Sequence, residues 1–303
     1  MIPASGGIAP AAPEREGQVL LPDGRALAYA EYGDPEGNPV LYFHGLPSSR
    51  LEGALASSPA RALGLRLIAL DRPGFGRSDF HRGRTYGAWP ADVSAAADRL
   101  GLARFAVLGT SGGGPHALAC AALLPERVRA AAVICGLGRV SGSKSRGGFV
   151  GFSRFALGFA GNFPALLPAL CIPVALGLKT RAVEIYLEHL ANRLPSLDRE
   201  TLLDPGIRSA LALAFRESVR HGHRGPCHEL HMAAQPWDFD PGSIRVPLLM
   251  LHGEEDQVVS ASMTRDLAQA IPRARARFYP GEGHYSLPVR HVGEVLEFLA
   301  GAT

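Results

Sequence analysis

The chain has 303 residues, 47% of them hydrophobic and 19% charged, with a formal net charge of +3. That length and apolar content fit one large α/β domain, with or without an inserted segment, and exclude a disordered or fibrous chain. The charge is near balance and the arginines are scattered, so nothing in the composition points to a nucleic-acid partner.

Residues 1–17, MIPASGGIAPAAPEREG, have neither a basic start nor an apolar run, so they read as a disordered tail rather than a signal peptide. Residues 18–21 and 25–32 read as two antiparallel edge strands joined by the turn Pro22-Asp23-Gly24. Residues 40–43 form a third strand that runs into His44-Gly45-Leu46-Pro47, where His44 braces the loop and the Leu46 N–H is a candidate hydrogen-bond donor. The strand over 66–70 is followed by DRPGFGRSD, whose Asp71 and Arg72 read as a locally paired brace. Residues 86–100 carry an amphipathic helical pattern.

The stretch AVLGTSGGGPH, residues 106–116, organises the chain. A strand over 104–108 meets G-T-S-G-G, and a small-residue helix over 116–124 starts directly afterwards, with His116 as a structural residue near its start. Glycines two before and two after Ser111 let strand and helix approach closely enough for the serine to take a strained backbone position with its hydroxyl exposed. The Gly112 N–H and the positive end of the helix then face the place where an oxyanion would form.

A strand over 128–134 follows, and no carboxylate comes after it. Strand–helix alternation then stops over residues 139–240, which read as an inserted helical cap with helices over 181–192 and 208–220. Within it, residues 155–178 are uncharged, but Pro164, Pro168 and Pro173 interrupt them, which favours short packed helices over a membrane span. The aromatics Phe152, Phe155, Phe159, Phe163 and Trp237 are candidates for cap core or for lining an apolar substrate pocket, with Phe155, Phe159 and Trp237 singled out for the pocket. His221, His223, His228 and His231 crowd one segment without the spacing of a zinc site, so no metal and no cofactor is expected. Cys120, Cys135, Cys171 and Cys227 are widely spaced and mostly in apolar runs, which suits reduced thiols in the cytoplasm.

Alternation resumes with strands over 246–251 and 274–279 and helices over 261–270 and 292–299. The first of these strands runs into His252-Gly253-Glu254-Glu255-Asp256 and the second into Gly281-Glu282-Gly283-His284. Parallel strands share one carboxyl-end face, so both loops fall at the edge that carries Ser111. A serine needs a base within reach and a group to orient that base, and these loops supply both.

With GTSGGGP, HGLP, DRPGFGRSD, HGEEDQVV and GEGHYSL in this order, the chain resembles the α/β-hydrolases of the Ser-Asp-His type over about residues 18–300. The resemblance implies a mostly parallel eight-stranded sheet flanked by helices with an inserted cap, the core being residues 18–138 and 241–303. It also implies Ser111 as nucleophile, His284 as base and acid, Asp256 as the orienting acid with Glu255 as runner-up, and the N–H groups of Leu46 and Gly112 as an oxyanion hole. A serine nucleophile points to acyl chemistry. The expected substrate is a small to medium apolar carboxylic ester, and the expected partners include no nucleic acid and no membrane; a monomer or a homodimer is compatible with the sequence. Alternatives are an aminopeptidase resembling proline iminopeptidases, with Glu184, Glu188, Glu217 or Glu229 holding the amine, a lactone or carbon–carbon bond hydrolase, or a ligand sensor that retains the triad.

Overall fold

The computed structural model describes residues 11–139 and 151–302. Among them, eight strands form one sheet: β1 (Arg15–Leu20), β2 (Ala26–Gly33), β3 (Asn38–Phe43), β4 (Leu65–Leu70), β5 (Phe105–Thr110), β6 (Val128–Ile134), β7 (Leu248–Gly253) and β8 (Ala274–Tyr279). Their order across the sheet is β1-β2-β4-β3-β5-β6-β7-β8, antiparallel through β1, β2 and β4 and parallel from β4 onward. The central strands are covered on both faces, which is why β5 (FAVLGT) and β6 (VRAAAVI) read as nearly unbroken apolar runs.

Two expectations are corrected at the amino end. β1 begins at Arg15, inside the expected tail, and pairs Arg15 with Glu31; residues 1–10 of that tail lie outside the described residues. β2 is not an edge strand, because β4 pairs with its other side.

Helices α1 (Ser57–Ala62), α2 (Trp89–Arg99) and α3 (Gly114–Leu123) fill the early crossovers, α10 (Ala261–Ala270) fills the last one, and α11 (Ser286–Ala300) follows the final strand. Apolar side chains of α2, α3 and α10 pack on one face of the sheet with Phe43, Val107 and Met250. Those of α1 and α11 pack on the other with Leu67, Leu108 and Leu249. The last helix starts six residues before the sequence pattern suggests, because Pro288 is tolerated in a first helical turn, where its missing N–H has no partner to lose.

Between β6 and β7 the described residues form α4 (Gly151–Asn162), α5 (Leu167–Leu178), α6 (Ala182–Ala191), α7 (Ser196–Leu203), α8 (Pro205–Ser218) and α9 (Arg224–Ala233). They have their own apolar core around Leu187, Leu202, Leu211 and Phe215. No single helix among the described residues is long and apolar enough to cross a membrane, and the apolar segments 155–162 and 164–178 meet at a bend of 114°.

Candidate active site

Ser111 follows the last residue of β5 and sits at φ 51, a left-handed backbone position that costs an L-residue on the order of 1–3 kcal/mol. The surroundings hold it there. A side chain at Gly109 would collide with the Gly113 carbonyl, and one at Gly113 would collide with the carbonyl of Phe43, so strand, turn and helix meet at a separation only glycine permits. The Ser111 carbonyl also accepts the Leu137 N–H at 3.1 Å.

The loops after β7 and β8 bring two further side chains to this edge. His284 Nε2 stands 3.0 Å from Ser111 Oγ, and its Nδ1 stands 2.7 Å from Asp256 Oδ2. Because the carboxylate can only accept, Nδ1 carries the proton and Nε2 is left to accept from the serine hydroxyl. Asp256 Oδ1 accepts the N–H groups of Val258 and Val259, both at 2.8 Å. Glu255 is exposed and Glu254 pairs with Arg265, so of the three acidic residues in this loop Asp256 alone reaches His284.

Burial is the largest influence on Asp256 and works toward protonation. The charge and hydrogen bond of His284, together with the His252 ring, outweigh it and hold the carboxyl well below the usual carboxylate range. On His284, burial likewise favours the neutral ring. The Asp256 charge and hydrogen bond, with smaller help from Asp198 and Glu52, reverse that and raise its pKa above the ordinary value.

Opposite the serine, the loop after β3 brings Leu46 against Gly112, its backbone nitrogen 3.3 Å from where a Gly112 side chain would begin. His44, wholly buried, donates from Nδ1 to the Gly45 carbonyl at 2.8 Å and accepts the Arg72 N–H at Nε2. Burial and the Arg72 charge push its pKa well down, so it is a neutral brace. Glu52, on the 3-10 turn Arg50–Ala56, accepts the Gly45 N–H at 3.2 Å and the Tyr42 hydroxyl.

Asp71 braces its own turn as expected by accepting the Arg77 N–H at 2.9 Å, but the salt bridges of Asp71 and Arg72 are not local. Asp71 pairs with Arg50 at 2.8 Å, and Arg72 reaches across to Glu229 on α9 while donating to the carbonyls of His44 and Gly45. Arg84 closes the cluster on Glu229 at 2.9 Å. His116, donating to the Gly112 carbonyl at 3.0 Å, borders it, with burial pushing its pKa down to about 3.

Ser111 and His284 open into a cavity of about 890 Å³ walled mainly by apolar side chains of the insertion, among them Leu157, Leu170, Val174, Leu211, Phe215 and Leu230. The aromatics singled out for that wall are elsewhere. Phe155 is 58% exposed on the outer side of α4 and Phe159 packs with it and with Phe163; neither borders the cavity. Trp237 is buried against Phe239 and Tyr86 in the main core. The side chain of Phe152 lies outside the described residues. No periodicity in the sequence assigns aliphatic residues spread over several helices to one chamber.

Several site residues escape sequence reasoning altogether. Glu52, Arg50 and Asp198 carry no motif and matter only through contacts across the fold. Cys171 and Cys227, far apart in sequence, meet across α5 and α9 in one small apolar cluster. Cys135 stands at the end of β6, its thiol against Asp256, and burial and that carboxylate push its pKa well up. With Asp256 and His284 it forms the one cluster of potential metal ligands among the described residues, within 4.8 Å, but a thiol so raised resists the thiolate a metal would require. The insertion histidines form no such cluster among the described residues, and His228 bonds the Arg84 carbonyl.

Known proteins agree with this architecture. A non-heme chloroperoxidase from Streptomyces lividans is 27% identical over 274 residues, 88% of this chain and 92% of that protein. An alpha/beta hydrolase fold protein from Nakamurella multipartita superposes with a TM-score of 0.67 at 25% identity, covering 95% of this chain and 100% of that one. An esterase from Rhodococcus sp. ECU1013 shares the fold with a TM-score of 0.68 at 24% identity, over 95% and 99% of the two chains. The family model for the alpha/beta hydrolase fold matches residues 38–290, and with strand order, elbow and loop placement in agreement, the chain belongs to the α/β-hydrolase family.

Proposed function

We propose that the protein hydrolyses carboxylic esters of small to medium apolar substrates through an acyl-enzyme on Ser111. The observation that carries this reading is the continuous relay from Ser111 Oγ through His284 to Asp256, at 3.0 and 2.7 Å, opening into an apolar chamber. A chamber of about 890 Å³ falls within the range of small-molecule sites.

Ser111 Oγ attacks the ester carbonyl carbon as His284 Nε2 takes its proton. The charge that develops on the carbonyl oxygen is met by the N–H groups of Leu46 and Gly112. The imidazolium, stabilised by Asp256, then protonates the departing alkoxide as the C–O bond breaks. Water attacks the acyl-serine with His284 again as base, releasing the carboxylic acid and restoring the serine. The helices between β6 and β7 act as a cap that supplies the chamber wall and keeps bulk water from the reacting carbonyl.

The aminopeptidase alternative draws little support from the carboxylates considered for it. Glu229 is spent on Arg72 and Arg84, Glu217 on Arg50 and Arg220, and Glu184 on Arg216, while Glu188 is exposed away from the cavity. The test is turnover of p-nitrophenyl acetate, butyrate and octanoate beside prolyl-p-nitroanilide, with Ser111→Ala as control. Sustained ester turnover abolished by Ser111→Ala supports the reading. Cleavage of the anilide with inert esters, or a single acylation without turnover, overturns it in favour of a peptidase or a sensor.

A further inference from the structure

We propose that Asp198, on α7 of the insertion, is a positioning residue for His284, so that the insertion is part of the catalytic apparatus as well as a cover over it. The proposal rests on the reading of His284 as the base that activates Ser111.

Asp198 has no exposed surface. Its Oδ2 accepts the backbone N–H of His284 at 2.9 Å, and its Oδ1 accepts those of Tyr285 at 2.9 Å and Ser286 at 2.8 Å. These are the groups that enter α11, whose first N–H donors have no partner within the helix. Tyr285, in the capping position, makes no side-chain capping bond of its own. The vacancy a serine or aspartate would fill locally is filled from 86 residues away in sequence.

The arrangement is crowded and directional. A side chain at Gly283 would collide with the Asp198 carboxylate, so the loop carrying His284 can close on this group only with glycine there. No lysine or arginine pairs with Asp198 among the described residues, so its charge is offset by the helix N-terminus and by the imidazolium that forms on His284. Fixing the His284 backbone fixes where its ring can point, and both Nδ1 and Nε2 have to meet partners at once. A cap serving only the helix would have no reason to reach the His284 N–H or to lie near its ring.

Asparagine tests this at nearly constant shape. Its single oxygen can accept, but its amide nitrogen would face a backbone N–H, and the negative charge is gone. On p-nitrophenyl butyrate, Asp198→Asn is expected to lower kcat on the order of tenfold or more with KM little changed, because misplacing a catalytic group costs rate before it costs binding. Loss of the charge also moves the acid limb of the kcat/KM profile to lower pH. Asp198→Ala lowers kcat further, and both variants react more slowly with a fluorophosphonate probe, which reports serine reactivity independently of the substrate. If the alanine variant does not fold, the asparagine variant decides. Asp198 variants that keep the wild-type kcat, labelling rate and acid limb, and lose only thermal stability, overturn the positioning role while leaving the hydrolase reading intact. A wild type inert to esters and probe alike, indistinguishable from Ser111→Ala, overturns both.

Discussion

Arg72 and Glu229 stand 157 residues apart in sequence and face each other with no exposed surface on either side chain. Arg72 follows a core strand and Glu229 sits on α9, so the pair joins the sheet edge to the insertion. The same guanidinium donates to the carbonyls of His44 and Gly45, one residue before Leu46. A contact between layers therefore bears on the backbone that carries a proposed oxyanion donor.

Removing Glu229 should cost both fold and rate. Two arginines, Arg72 and Arg84, would remain buried with one carboxylate fewer, and breaking a buried pair in this way costs about 3–5 kcal/mol. Glu229→Gln is expected to lower the urea midpoint accordingly and to lower kcat on p-nitrophenyl butyrate. Glu184→Gln, which breaks only a partly exposed pair on the insertion, should change stability by at most about 1 kcal/mol. Equal midpoints for the two variants would contradict the role given to the buried pair.

The proposed ester hydrolysis should take its pH dependence from His284. Its ring must be neutral to accept the serine proton, and its pKa is raised above the ordinary value of about 6.5. Activity should therefore fall as pH drops through a midpoint on the alkaline side of that value. Asp256→Asn removes the charge that sets the shift and the acceptor that fixes the Nδ1–H tautomer. It should cut kcat by roughly three to four orders of magnitude, as loss of the orienting acid does in serine hydrolases generally. A pH–rate profile of both proteins checks both points, and a variant retaining a tenth of the activity would show that Asp256 does not orient His284.

The parts of this site that could be read from sequence are those built by local chain geometry. The elbow at Ser111 needs its glycines within two residues, and the loops at Asp256 and His284 follow strands whose apolar runs are plain. The chamber and its braces could not be read that way. Glu229 lies on an amphipathic helix where its sequence neighbours do not reveal two buried arginines, and Asp198 caps a helix that starts 88 residues later. Trp237 illustrates the converse error: a large aromatic beside a cap of unknown packing reads as pocket or core alike, and only the tertiary fold places it against Phe239.

That placement separates stability from selectivity. Trp237→Ala should cost about 3–5 kcal/mol, the usual penalty for emptying an aromatic from a core, and leave the ratio of octanoate to acetate turnover unchanged. Ala175→Phe, on the chamber wall, should lower that ratio by about tenfold or more at little cost in acetate turnover. The ratio measured for both variants checks the assignment, and the reverse pattern would place the substrate against Trp237.

Acid sensitivity of the fold should trace to the neutral histidines behind the oxyanion loop. His116 has its pKa pushed down to about 3 and His44 is also well below the usual value, both chiefly by burial. Once unfolded, each ring takes up a proton below about pH 6.5, so the unfolded chain binds more protons in this window and stability falls as pH falls. For His116 the loss between neutrality and about pH 5 comes to about 2 kcal/mol. Of the other shifted groups, His284 and Asp71, both raised, act with the opposite sign, whereas Asp256 and Glu229, both depressed, act with the same sign as the two histidines. Raised His284 contributes stability that is complete below its unfolded value, so its change lies at and above about pH 6.5. The depressed carboxyls of Asp256 and Glu229 lose theirs only below about pH 4.5. Urea unfolding at a series of pH values between these limits should show stability falling as pH falls, and His116→Gln, which can still donate to the Gly112 carbonyl, should reduce the slope by about one proton. An unchanged slope would mean that the ring is protonated in the folded state, and that the charge cluster around Glu229 holds one more positive group than its burial permits.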